Sequence, residues 1–172
     1  MHQSSPTLCS ILPPQSRSFL VLGVGSPLRS DDRVGLVFCD YLLEEGINCV
    51  KCEYGVENCM DIIANTKPET LIIVDAALFN GGKPGDVVIV SEDALADSVL
   101  PVSTHSMPLQ LLLKVLKDHG DVKEIFIIGI YPKLLDVGED LSREVLSAAK
   151  SLAREIKKCL EEERRERQRF CK

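Results

Sequence analysis

The order of apolar and polar positions predicts strands alternating with helices. Residues 19–24 form a short apolar run with β-branched members, the length of a strand. Gly23 and Gly25 break that run, and Pro27 stops an immediate helix. An amphipathic helix then starts after Ser30, Asp31 and Asp32, with Val34, Val37, Phe38, Tyr41 and Leu42 on its apolar side. Residues 47–53 predict a second strand, and Asn58 opens a short helix closed by Lys67-Pro68. Residues 70–74 are almost wholly apolar, as in a strand covered on both faces, and end at Asp75. A loop rich in Gly and Pro follows at 79–85, then a fourth strand at 86–91. Residues 92–103 predict a short helix or loop. The spacing of Leu109, Leu112, Leu113 and Leu116 predicts a helix over 106–119. Residues 124–130 read as the fifth strand. The last helix opens at Ser142 and buries Val145, Leu146, Ala149, Leu152, Ala153, Ile156 and Leu160.

This alternation predicts an α/β three-layer sandwich: a mixed, largely parallel sheet of about five strands with helices on both faces. The connection at 79–85 is too short for a helical crossover, so the third and fourth strands are expected to pair antiparallel. The domain proper spans 19–160, preceded by an irregular Pro- and Ser-bearing arm at 1–18. A charged helix extension follows at 161–172, where Glu161–Arg165 and Glu163–Arg167 stand at pairing distance along a helix.

Composition adds exclusions. A chain of 172 residues, 45% hydrophobic and 27% charged, is expected to be one globular domain. A net charge of −6 argues against a broad nucleic-acid surface. No apolar run reaches the roughly 20 residues that span a membrane, and the N-terminus carries no basic leader. The expectation is a cytoplasmic protein, monomeric, without nucleic-acid or membrane partners. The seven cysteines are odd in number and scattered, which predicts mostly reduced, buried thiols. Cys49 and Cys52 form a C-x-x-C on a strand, where positions three apart face opposite ways, so packing is expected there.

Three chemistry-bearing groups recur at strand exits. Asp32 follows the first strand, Asp75 ends the third, and His105 precedes the helix before the fifth. Each has a plain alternative as a cap or turn residue, and Ser30 or Asp31 suits a helix start. A carboxylate at the end of a buried strand is costly unless paired, hydrogen-bonded or metal-bound. Two carboxylates and an imidazole suit a divalent metal with open positions, zinc or nickel by donor type. A dinucleotide fingerprint is disfavoured because Leu28 stands where the third Gly would be. A serine nucleophile at Ser26 is disfavoured because Pro27 offers no backbone N–H to an oxyanion hole.

The segments LVLGVGSPLRSDDRVG, ENCMDIIANTKPETLIIVDA, STHSMPL and GIYPKLLDVGEDLS, in this order, resemble the nickel–iron hydrogenase maturation endopeptidases. The resemblance runs over about residues 19–160. It implies a mixed-sheet α/β sandwich that cuts a C-terminal extension from the nickel-loaded precursor of the hydrogenase large subunit. It also implies that Asp32 rather than Asp31, together with Asp75 and His105, contacts the precursor's own nickel, with zinc or another divalent ion as a substitute. The chain departs from the family at CEYGVEN, where Gly55 stands alone, and at Lys133, a position often acidic in relatives. Two other classes use the same crevice: a non-catalytic nucleotide- or metal-binding module, and a zinc aminopeptidase or amidase. The three residues are expected to converge on one cleft at the sheet's edge.

Overall fold

The computed structural model describes residues 6–14, 17–97, 114–117 and 122–170. Five strands form one sheet: β1 (Phe19–Gly25), β2 (Val50–Glu53), β3 (Thr70–Ala76), β4 (Val87–Ser91) and β5 (Glu124–Ile130). Their order is β2-β1-β3-β5-β4. The first three and β5 run parallel, and β4 closes one side antiparallel to β5. The antiparallel partner of β4 is therefore β5 and not β3, as the short 79–85 connection had suggested. That connection steps over β5 rather than turning a hairpin, because β5 later fills the space between its two ends.

Side-chain alternation along the central strands divides the core into two layers. On one face Val21, Ile72, Val74 and Ile128 pack with Phe38, Leu42, Val145 and Leu152. These come from α2 (Val34–Glu44) and the long helix α5 (Arg143–Phe170), while a short helix, α4 (Glu92–Asp97), follows β4. On the other face Leu22, Leu71, Ile73 and Ile127 pack with Cys59, Ile63 and Leu116. Ile63 belongs to α3 (Met60–Thr66), and residues 114–117 are helical. The rest of the predicted 106–119 helix lies outside the described residues.

Three expectations about local structure change. The glycines do not end β1, which continues through Gly25. A Cβ on Gly23 would lie 2.0 Å from the carbonyl oxygen of Gly35, and one on Gly25 would lie 2.1 Å from that of Asp32. They are glycines because the turn after β1 and the start of α2 press directly on the strand. The arm is not wholly irregular either: Leu8–Ile11 form a one-turn helix, α1, and Ile11 is buried in the core.

The third change concerns the cysteines. Cys9–Cys159, Cys39–Cys49 and Cys52–Cys59 are disulfides, with Cα–Cα separations of 5.2, 5.2 and 5.7 Å. This overturns the expectation of mostly reduced thiols and of an unbridged Cys49 and Cys52. The C-x-x-C pair is indeed not joined to itself. Each cysteine instead meets one on a neighbouring element: Cys39 on α2, and Cys59 in the 3-10 turn Val56–Cys59. The reduced-thiol argument for a cytoplasmic protein falls with it.

Candidate active site

Between β1 and α2 the chain makes a 3-10 turn, Ser30–Arg33. This turn touches both β1 and β3. The first residues of α2 continue across the strand ends, where a Cβ on Gly35 would meet the carbonyl oxygens of Val24 at 2.2 Å and Val74 at 2.3 Å. Asp32, in the turn, and Asp75, at the end of β3, are thus brought to the same end of two adjacent central strands. The place is the carboxyl end of the sheet's middle, where open α/β sheets bind ligands. It is not the outer side of the sheet. His105 lies outside the described residues.

Neither aspartate of the turn caps a helix. The 3-10 turn and α2 both start without a side-chain cap. Asp31 does something else. It is wholly buried, and its carboxylate accepts from the backbone N–H groups of Lys133 at 2.8 Å, Leu134 at 2.9 Å and Ser142 at 2.6 Å. It therefore clamps the 131–142 loop, which links β5 to α5, onto the turn after β1. The backbone repeats the stitching. Ser30 N–H donates to the Gly138 carbonyl at 2.7 Å, Gly138 N–H to Leu28 at 3.0 Å, and Asp31 N–H to Leu134 at 3.1 Å. The Arg29 guanidinium donates to the Leu135 carbonyl at 3.0 and 3.2 Å, and Arg33 donates to that of Glu139.

Asp32 is the contrast. It is also buried, yet its Oδ2 has no hydrogen-bond partner. A buried carboxylate oxygen left unpaired costs on the order of 1–3 kcal/mol or more, which makes Asp32 a candidate for binding a ligand. Asp75 is buried as well, and its Oδ1 accepts from the N–H of Ala76 at 2.8 Å. Gly129 of β5 stands beside it in register. Among the described residues no three His, Cys, Asp or Glu side chains gather closely enough to hold a metal. Asp32 and Asp75 supply hard oxygen donors, fitting one side of a divalent-ion site that needs a further ligand.

Around the site, Tyr54 and Gly55 carry φ of 65° and 151°, and Tyr54 N–H reaches the Gly25 carbonyl at 2.9 Å. The Cys52–Cys59 bridge closes this loop after β2. Lys133 pairs with Glu144 at 2.9 Å, and that hydrogen bond holds the Glu144 carboxyl below its ordinary range. A groove of about 580 Å³ lies between the start of β4 and α5, but neither Asp32 nor Asp75 lines it.

The HycI family of hydrogenase maturation proteases matches residues 54–159. The chain belongs to this family. Comparison with curated proteins gave no match. Among solved structures, the maturation protease HycI of Thermococcus kodakarensis KOD1 is 28% identical with a TM-score of 0.72, over 84% of this chain and 93% of that one. HybD, a maturation protease from Thermococcus kodakarensis, is 30% identical with a TM-score of 0.64, over 82% of this chain and 97% of that one. The endopeptidase HycI of Escherichia coli, 24% identical with a TM-score of 0.70, covers 82% of this chain and 90% of itself and shares the fold. The five-stranded mixed sheet is thus the fold of the hydrogenase maturation proteases. No described helix is long and apolar enough to cross a membrane.

The family resemblance assigned Asp32 over Asp31 without a structural reason. The structure supplies a difference between the two: one carboxylate is consumed by three N–H donors, the other keeps an open oxygen. The clamp itself was missed in the sequence. Its signal was present in GIYPKLLDVGEDLS, a stretch without periodicity that must satisfy its backbone somewhere.

Proposed function

We propose that this maturation protease is a monomeric endopeptidase that removes the C-terminal extension of a hydrogenase large-subunit precursor already carrying nickel. Asp32, Asp75 and His105 hold that nickel, which arrives with the substrate. The observation that carries this reading is the buried, unpartnered Oδ2 of Asp32 at the strand end that also bears Asp75. Two carboxylates and an imidazole, with no thiolate, form a weak three-ligand site with vacant positions. Such a site suits an ion delivered by another protein better than one held permanently. Bound there, the ion supplies Lewis acidity toward the scissile carbonyl or the attacking water. The chain's own part is to fix the precursor's metal site against the sheet end and to take the proton from water on a carboxylate.

Asp32→Asn tests this, since it keeps the shape of the side chain and removes its charge. Processing of nickel-loaded precursor, read as the mass lost with the extension, is expected to fall at least a hundredfold. His105→Ala is expected to do the same. Both variants should keep the wild-type melting temperature to within a few degrees. Near-normal processing by Asp32→Asn would contradict a metal-holding role.

A further inference from the structure

The three disulfides differ in how far solvent reaches them. Cys39, Cys49, Cys52 and Cys59 are 0%, 9%, 0% and 3% exposed. Cys9 is exposed, and its partner Cys159 is half-buried. A thiolate must reach a sulfur to open a disulfide, so access decides which bridge a dithiol reduces in the folded protein. Cys9–Cys159 is the reachable one.

What this bridge holds has few other ties. Cys9 lies on α1, a helix of four residues that starts without a side-chain cap. A helix of that length has no stability of its own. Among the described residues, the hydrogen bonds of segment 6–14 stay within the arm. The Ser10 N–H and hydroxyl donate to the Thr7 carbonyl, and the Arg17 N–H donates to that of Pro14. The chain is next tied to the sheet at Ser18, whose carbonyl accepts from the N–H groups of Glu69 and Thr70 at 3.0 and 3.1 Å. Ahead of that point the arm rests on the burial of Ile11 and Pro13, with Leu8 and Leu12 packed against the core. Terminal segments stay ordered only when tied down, because each ordered residue gives up backbone freedom that contacts must offset. A bond from Cys9 to α5 keeps α1 beside that helix, so less freedom is lost when it docks.

The arm also shapes the surface. Leu8 lines the groove between the start of β4 and α5, together with Val87, Ile89, Ala148 and Leu152.

We propose that Cys9–Cys159 is a reversible redox latch. Oxidised, it holds α1 on α5; reduced by a dithiol, it releases residues 6–14 and takes Leu8 out of the groove wall. One thiolate of the dithiol attacks the Cys9 sulfur, and the bond to Cys159 breaks. Its electron pair leaves on the Cys159 sulfur, which takes up a proton. The second thiol of the reductant then displaces Cys9 from the mixed disulfide, and Cys9 takes up the other proton. The reductant ends as a disulfide, having passed two electrons and two protons to the cysteines. No residue of the proteolytic site takes part.

The test treats the folded protein with graded dithiothreitol, blocks free thiols with iodoacetamide and maps them by peptide mass. Thermolysin, which cuts before large aliphatic residues, then probes the arm once dithiothreitol is removed. It is applied to the oxidised protein, to the reduced and alkylated protein, and to Cys9→Ser and Cys159→Ser without reductant. Cys9 and Cys159 are expected to be labelled at a dithiothreitol concentration about tenfold or more below that needed for the four buried cysteines. Cleavage at Leu8, Ile11 and Leu12 is expected to be about tenfold or more faster in the reduced protein and in both variants, with far-UV circular dichroism unchanged. Reoxidation before alkylation should restore resistance. Simultaneous reduction of all three bridges overturns the latch. So does an arm that is as resistant in the variants and the reduced protein as in the oxidised one.

Discussion

Asp31 and Asp32 are adjacent, both buried, and chemically identical, and the structure gives them opposite surroundings. Asp31 spends both oxygens on three backbone N–H donors from the 131–142 loop. Replacing it with Ala strands those donors, at about 1–3 kcal/mol for each one left buried and unpaired. Asp31→Ala is therefore expected to lose about 3 kcal/mol or more of stability. The urea midpoint measures it: a value near wild type would show that the clamp is not structural. Asp32 has no such work, and an isosteric amide should cost it activity rather than fold. The adjacency explains why sequence reasoning alone offered capping for both. Two aspartates before an amphipathic run look like a helix start, and only the distant loop reveals otherwise. His105, before a predicted helix, lies outside the described residues.

At the scale of elements, the disulfides tie pieces that the sequence presents as separate. Cys9–Cys159 fastens α1 to α5 across 150 residues, while Cys39–Cys49 and Cys52–Cys59 close short segments around β2, 10 and 7 residues apart. A loop that long, if cross-linked, removes about 4–5 kcal/mol of unfolded-chain entropy in the simplest treatment. Thiol titration of denatured, unreduced protein is expected to find one free thiol, that of Cys171, out of seven cysteines. Reduction is expected to lower the melting temperature by ten degrees or more. Three or more free thiols would contradict the pairing. Sequence spacing could not disclose these bonds, because each joins neighbours in space on different elements. The helix pairs were legible by contrast: Glu161–Arg165 at 3.9 Å and Glu163–Arg167 at 3.1 Å both form, since i,i+4 contacts need only a helix.

For the whole molecule, the five strands and the mixed, mainly parallel sheet were legible from apolar runs and their punctuation. Strand order was not, since the placement of β5 between β3 and β4 depends on a crossover that leaves no local mark. The role of Gly23 and Gly25 was misread for a related reason: a glycine that admits a neighbouring backbone looks the same in sequence as one that ends a strand. What assembles at the strand ends is a turn with an open carboxylate and, at the same end of the sheet, a second buried aspartate. A protease built this way is expected to act only when its substrate brings the metal. The direct test incubates the purified protein with large-subunit precursor loaded with nickel or left without it, and follows release of the C-terminal extension by mass. Cleavage of the loaded precursor alone is the predicted result, and equal cleavage of both forms would contradict the account.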